Sequence, residues 1–341
     1  MEQDPFSSVL IRQALLSGAL ADAVYPGCSG KNSRFDPDNR LCPDITAVKA
    51  WQGYQLYRRY YCLDRLPAAV YRLNCVFSKP YEVFYQTWLP ETEHIRGTFY
   101  LLHGYYDHTG LYTHLIEALL LQGYAVVAPD LPGHGLSSGP RASIISFSEY
   151  THALWDVMCS SRHHLPEPLH LIGQSTGGAI LTDWWLNHEY HAETDIRCTI
   201  MLAPLVRPWN WSQGLLSYHL LSPFMKRVKR SYSRNSHNEH FLHFLREDPL
   251  QPCYLATDWV GALKKWIEQT EQADPIAVPV LIIQGEEDKT VDWRFNVEFL
   301  QQKFVESEIR LYPSARHHLV NESLQIRQQW LAHLRYYLDH L

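Results

Sequence analysis

A chain of 341 residues that is 46% hydrophobic and 13% aromatic can bury a large core, and it suits one sizeable domain carrying an inserted subdomain. A formal net charge of -6 gives no global basic field, which excludes nucleic acid as an expected partner. The seven cysteines are scattered, with no CxxC pair or metal-ligand spacing, so they read as reduced thiols, and no stretch approaches the ~18 uninterrupted apolar residues of a membrane span.

The N-terminus looks at first like an export signal, because Ser8 to Val24 is apolar and ends in small residues such as Ala21 and Ala23. Acidic Glu2 and Asp4 precede it, however, and Arg12 and Gln13 interrupt it, so an amphipathic helix is expected instead. The expectation is a cytoplasmic protein, at most peripheral to a membrane, with export disfavoured. A polar, turn-rich stretch from Pro26 to Pro43 follows. A second helix then places Trp51, Tyr54, Tyr57 and Tyr61 near helical spacing, which is a packing face in preference to a ligand box. Residues 1–68 thus form a helical extension outside the pattern that begins next.

From residue 69 short apolar runs alternate with amphipathic segments. AVYRLNCV and YEVFYQTWL read as an antiparallel start. GTFYLLHG, a helix near Leu111 to Gln122, YAVVAPD, a helix near Phe147 to Ser161, LHLIGQS, a helix from Thr176 to about Asn187, and CTIMLAPL follow. After an interruption come VPVLIIQG, a helix near Trp293 to Phe304, SEIRLYP, and a last helix from about Ser323. Near-continuous apolar strands are those covered on both faces, so the fold class is α/β, a mostly parallel central sheet with helices on both sides. Residues 69–207 and 276–341 form this core. The interruption, 208–275, is too long and too apolar for a bare loop and predicts a helical cap. It holds Trp209, Trp211, Trp259 and Trp266 and a basic cluster, Lys226, Arg227, Lys229, Arg230 and Arg234.

Within HLIGQSTGG, Ser175 stands at a strand-to-helix join with glycine two positions before and two after. Such a turn is sharp and strained, exposes the hydroxyl at the carboxyl edge of the sheet, and aims the amide of Thr176 at it from a helix N-terminus. A serine hydroxyl needs a base and a group that orients the base. The strand VPVLIIQ ends in Gly285-Glu286-Glu287-Asp288, and IRLYP leads into Ser314-Ala315-Arg316-His317-His318, so an acid and a histidine reach the same edge. No Asp or Glu occurs between Leu202 and Leu221, which favours Asp288 over an acid after the preceding strand. Periodicity does not choose between His317 and His318, and Glu286 and Glu287 stay open as alternatives to Asp288. Serine, acid, histidine is the chain order of the α/β-hydrolases.

The chain from about Tyr81 onward resembles the monoacylglycerol lipase and lysophospholipase branch of that superfamily, which includes the serine aminopeptidase-type hydrolases. LLHGYYDHTGLYTHL is similar to the family's oxyanion segment, APDLPGHGLSSGPRASIISFSEY to its D-x-x-G-H-G turn, and GQSTGG to its GHSMGG elbow. EDPLQPCYLATDWVGAL resembles its cap motif, and GEEDKTVD and PSARHHLVNE its acid and histidine segments. The resemblance implies Ser175 as nucleophile, Asp288 as acid and His317 as base, with the backbone amides of Tyr105 and Thr176 as oxyanion donors. It also implies no metal and no cofactor. Two departures stand out: Gln174 replaces the elbow histidine, and Tyr105-Tyr106 replace small residues, so the two phenols would reshape the pocket.

The chemistry implied is ester hydrolysis through an acyl-enzyme, on a small lipid-like substrate of monoacylglycerol or lysophospholipid type, with Tyr106, Trp209 and Trp211 as candidate pocket residues. The same residues would serve a thioesterase or an amide hydrolase, and a binding protein that kept the fold without catalysis is the reading from another class. The greasy cap with its basic cluster suits either transient contact with anionic headgroups or a solvated basic face. His237, Glu239, His240 and His243 lack further ligands at metal spacing and read as a polar helix surface. Oligomeric state is not indicated.

Overall fold

The computed structural model describes residues 5–6, 8–16, 25–26 and 45–341. The Pro26–Pro43 stretch and the proposed continuation of the first helix to Val24 lie outside them, apart from a two-residue strand. In chain order the elements are α1 (Ser8–Leu16), β1 (Tyr25–Pro26), α2 (Ile45–Tyr60), β2 (Ala68–Ser78), β3 (Tyr81–Pro90), β4 (Thr98–Leu102), α3 (Thr113–Leu121), β5 (Ala125–Pro129), α4 (Ser148–Ser161), β6 (Leu169–Gln174), α5 (Thr176–Asn187) and β7 (Ile196–Leu202). The inserted segment follows as α6 (Trp211–Leu221), β8 (Arg227–Lys229), α7 (Glu239–Glu247), β9 (Tyr254–Ala256) and α8 (Thr257–Gln272). The chain then returns to the sheet with β10 (Ile276–Gly285), α9 (Trp293–Lys303), β11 (Phe304–Tyr312) and α10 (Leu324–Asp339).

The sheet order is β1-β2-β3-β5-β4-β6-β7-β10-β11. Pairing is antiparallel from β1 through β3 to β5 and parallel from there on, as the alternation predicts. The apolar runs are continuous because successive side chains feed opposite layers. Phe99, Leu101, Val126, Ala128, Ile200 and Leu202 enter one core with α2, α3 and α10. Tyr100, Leu102, Val127, Met201, Val280 and Ile282 enter the other with α4, α5, α8 and α9. After β4 the chain turns aside to β5, and β6 is laid on β4's other edge. That reversal opens a crevice at the carboxyl ends of β4 and β6.

The aromatic face of α2 is packing, as its spacing predicts: Tyr54 and Tyr57 are fully buried and Tyr54 stacks on Tyr71 of β2 at 6.0 Å. Their hydroxyls are satisfied by one buried amide. Tyr71 donates to Gln86 Oε1 at 2.6 Å, and Gln86 Nε2 donates to the Tyr57 hydroxyl at 3.2 Å. In α1, the buried Arg12 donates to the carbonyl of Leu136 at 2.5 Å and pairs with Glu82 at 3.0 Å, tying the N-terminus to the Asp130–Leu136 turn. The inserted segment contains three helices, α6, α7 and α8, and one element that the sequence did not suggest, the antiparallel ribbon β8–β9. Strands of three residues are too short to show alternation.

Extension, cap and core meet at one buried carboxylate. Asp248, at the end of α7, accepts from the Tyr61 hydroxyl at 2.6 Å and from His108 Nε2 at 2.9 Å, both side chains of the His108–Asp248 pair being wholly buried. Burial alone would raise the Asp248 pKa, but His108, Tyr61 and the Leu250 amide outweigh it and hold the carboxyl below its ordinary range. Removing one member of a buried pair strands the other. Asp248→Ala is therefore expected to cost about 3 kcal/mol of unfolding free energy by urea titration, and Tyr61→Phe about 1 kcal/mol. The double variant should lose less than the sum.

Candidate active site

Ser175 occupies the first position after β6 with φ 54° and ψ -113°, a left-handed strain that the neighbouring glycines permit. A Cβ on Gly177 would stand 2.3 Å from the carbonyl oxygen of Leu102, and one on Gly173 2.5 Å from the Gly177 carbonyl carbon, so β6, α5 and β4 approach this closely only without side chains there. The strained residue is pinned on both sides. Its N–H donates to the Leu202 carbonyl at 2.9 Å, and its own carbonyl accepts from Ala179 and Leu205 at 3.0 Å.

The structure brings Ser175, His317 and Asp288 together. His317 Nε2 lies 2.9 Å from Ser175 Oγ, and its Nδ1 lies 2.7 Å from Asp288 Oδ2. Asp288, buried in the loop after β10, also accepts from the amides of Thr290 at 2.8 Å and Val291 at 3.1 Å and from Gln284 Nε2 at 3.1 Å. Of the alternatives, Glu287 pairs outward with His237 and Arg316, and Glu286 is only part-buried and, among the described residues, forms no ion pair or hydrogen bond with His317. His318 turns away from Ser175 to Asp107, at 3.2 Å.

The loop after β4 is held from several directions. Buried His103 accepts from the Leu131 amide at Nε2, 2.9 Å, and its Nδ1 reaches the Gly104 carbonyl at 2.8 Å, the pattern of a neutral imidazole. Its pKa is lowered chiefly by burial, which favours the neutral ring. The Gly104 amide donates to the Tyr112 hydroxyl at 2.9 Å, and that hydroxyl donates to Asp107 at 2.9 Å. Burial would raise the Asp107 pKa, but His318, His103 and Tyr112 hold the carboxyl well below the usual range. The Asp130 carboxylate accepts from the amides of Thr109 and Leu136 at 2.8 and 2.7 Å, joining this loop to the D-x-x-G-H-G turn. The amides of Tyr105 and Thr176 flank Ser175 and are spent on no hydrogen bond among the described residues.

A cavity of about 420 Å³ opens over Ser175 and His317. Tyr105, Tyr106, Trp209 and Trp211 all line it. The bulk of Tyr105 is absorbed by the wall: its ring stacks on Trp259 at 3.8 Å and its hydroxyl donates to the Ala142 carbonyl at 2.7 Å. Tyr106, at φ 72°, lies under the Arg230 guanidinium at 3.9 Å.

A model of the serine aminopeptidase S33 hydrolase family matches residues 93–324. The chain belongs to this family. Its fold is that of the α/β-hydrolases, and its relatives and structural neighbours include monoacylglycerol lipases. It is 28% identical to phospholipase YtpA of Bacillus subtilis over 56% of this chain and 76% of that one. With the monoacylglycerol lipase of Mycolicibacterium smegmatis it shares 24% identity over 71% of this chain and 88% of the other. In fold it is similar to a soluble variant of the Saccharomyces cerevisiae monoglyceride lipase solved with a substrate analog, at TM-score 0.65 and 21% identity, covering 76% of this chain and 92% of that one.

Three supporting residues escaped the sequence reading. Trp259 was seen only as cap, and Gln174 only as a departure, though its Oε1 accepts from the Val320 amide at 3.1 Å and so braces the histidine loop. Glu322, the last residue of PSARHHLVNE, is fully buried and accepts from the amides of Arg316, His237 and Ser323 at 2.9, 3.0 and 2.7 Å, and from His237 Nδ1 at 2.9 Å. A carboxylate closing a histidine-bearing motif is a signal that could have found it. His237 is thus occupied with Glu322 and Glu287, and exposed His243 with Glu247. Burial would raise the Glu322 pKa, but the three amides and His237 outweigh it and lower it. A depressed carboxyl contributes stability present above its unfolded pKa, ~4.3, and lost as pH falls through the folded value. Glu322→Gln is therefore expected to cost about 2 kcal/mol at pH 7, with the gap to wild type narrowing toward pH 3 in thermal melts.

Proposed function

We propose that the chain is a serine hydrolase that cleaves lipid-like carboxylic monoesters, of monoacylglycerol or lysophospholipid type, through an acyl-enzyme on Ser175. The observation that carries this is the continuous chain of contacts from Ser175 Oγ through the His317 ring to Asp288, at 2.9 and 2.7 Å. His317 takes the proton as Oγ attacks the acyl carbonyl and returns it to the leaving alcohol, while Asp288 fixes the tautomer and steadies the imidazolium. The amides of Tyr105 and Thr176 receive the oxyanion, helped by the positive end of α5. Water, activated by the same imidazole, then releases the acid. The relatives named phospholipase and monoacylglycerol lipase, and a cavity walled by Trp209, Trp211 and Trp259, support an acyl-chain substrate. An amide or thioester substrate would use the same residues, and nothing in the wall favours either.

Ser175→Ala is expected to abolish both p-nitrophenyl ester turnover and fluorophosphonate labelling. Asp288→Asn should retain the fold and lose about 10⁴-fold in kcat. Undiminished turnover by Ser175→Ala would overturn the assignment.

The cap also supports docking on a lipid surface from which substrate is drawn. No residue of α6 is buried, and Leu216, Leu220, Phe224 and Met225 are exposed beside exposed Lys226, Arg227 and Lys229. Among the described residues no helix is long and apolar enough to cross a membrane. Replacing Leu220 and Phe224 together by Glu should sharply reduce co-sedimentation with phosphatidylglycerol vesicles while turnover of a water-soluble ester is retained. Unchanged sedimentation would remove the docking.

A further inference from the structure

The five cations of the basic cluster, Lys226, Arg227, Lys229, Arg230 and Arg234, are not equivalent. Lys226 stands 3.8 Å from Asp258, and Arg234 pairs with Glu239. The other three follow the β8–β9 ribbon, whose side chains alternate between two sides. Arg227 and Lys229 point to solvent, whereas Val228, opposite Leu255, lines the cavity together with that leucine. The ladder runs one residue further, the Arg230 amide donating to the Cys253 carbonyl at 2.9 Å, and parity turns Arg230 into the cavity that holds Ser175 and His317.

Arg230 is half-buried there and has no counter-ion among the described residues. Its guanidinium lies 3.9 Å above the Tyr106 ring and 4.5 Å from that of Tyr232, and its Nη1 donates to Gln251 Oε1 at 2.5 Å. Among the described residues no carboxylate comes within 4.0 Å of it, and its Nε and Nη2 have no hydrogen-bond partner. Burial lowers its pKa, yet an arginine keeps its charge in a protein. Asp107, the one carboxylate lining the cavity among the described residues, is committed to His318 and Tyr112. Two aromatic faces hold the fork flat and leave the geometry that carboxylates and phosphates match in bidentate fashion.

We propose that Arg230 binds an anionic group carried by the ester substrate, so that the preferred substrates are acyl esters bearing a phosphate or a carboxylate in place of neutral monoesters. The proposal rests on Ser175 being the nucleophile of the same cavity. The acyl chain occupies the apolar wall near Trp211, Leu221 and Val260, and the charged end reaches Arg230 beside the hydroxyls of Ser231 and Ser233.

The test compares kcat/KM on three esters with one acyl chain: a 1-monoacylglycerol, the corresponding 1-acylglycerol 3-phosphate, and the 3-acyl ester of glyceric acid, which carries a carboxylate. Wild type should prefer one or both anionic esters to the neutral one. The anionic-to-neutral ratio should fall at least ~10-fold in Arg230→Met and partly recover in Arg230→Lys. The ester with the larger fall identifies the anion. A wild type that turns over the neutral ester at least as well as both anionic ones overturns the proposal, as does an equal loss on all three in Arg230→Met, the mark of a mere brace. Inhibition of p-nitrophenyl ester turnover provides a second reading on wild type alone. Decyl phosphate should inhibit well below the concentration that inorganic phosphate requires, and equal potency would make the anion a free effector and overturn the assignment to substrate. Failure of the hydrolase reading itself would appear separately, as turnover that survives Ser175→Ala.

Discussion

The left-handed backbone at Ser175 is the constraint on which the rest of the site depends. A residue held at φ 54° costs of order 1–3 kcal/mol and persists only where its surroundings over-determine it. Here three backbone hydrogen bonds, to Leu202, Ala179 and Leu205, hold it, and Gly173 and Gly177 let β6, β4 and α5 close to distances that any Cβ would forbid. The same closeness does several things at once. It lifts Oγ above the sheet at the point where strand order reverses, and it sets the Thr176 amide at a helix N-terminus beside it. It also brings the loop after β4, with the Tyr105 amide, alongside.

Around that turn the buried polar groups are spent on backbone. Asp130 takes the amides of Thr109 and Leu136, Asp288 those of Thr290 and Val291, Glu322 those of Arg316, His237 and Ser323. Each carboxylate fixes a loop that has no regular structure of its own. Sheet and helices set strand ends to within a few ångströms, and these charge-assisted bonds supply the remaining precision. The result is that the Ser175 hydroxyl, the His317 imidazole and the amides of Tyr105 and Thr176 stand at fixed places at one edge of the sheet; under the proposed function that leaves little reorganisation for the reaction to drive.

What the sequence discloses and what it hides follow from the range of the interaction concerned. The parallel core was legible because covered strands read as continuous apolar runs, and the Ser175 turn because its glycines are a local steric requirement. The choice between His317 and His318 was not legible from periodicity, since the loop after β11 breaks parity. Only the motif resemblance pointed to His317, the residue that the structure brings to Ser175. Gln174 acts through the Val320 amide, which has no sequence signature, and Glu322 acts through three amides that only its place at the end of a histidine-bearing motif could have hinted at. Arg230 is one cation among five until a three-residue ribbon gives it a side, and strands that short leave no period to read. Tyr61 looked like one more packing tyrosine, and its hydroxyl meets Asp248, 187 positions away.

The long-range contacts also divide the cap. Asp248 joins α7 to the extension through Tyr61 and to the loop after β4 through His108, while Phe241, Leu242 and Leu245 of α7 and Trp259, Leu263 and Trp266 of α8 are buried in the two cores. That half of the insertion is part of the domain's interior, and it presses on the loop that presents the Tyr105 amide. The other half, α6 and the turn after it, buries no residue of its helix and stands over the mouth of the cavity. One inserted segment therefore carries two opposed demands. Its rear is packed as tightly as the core and meets the loop after β4 through His108, and its front leaves apolar side chains exposed. The described part of the extension goes with the rear: α1 and α2 pack at the antiparallel end of the sheet, and Tyr61, just past α2, donates to the buried carboxylate.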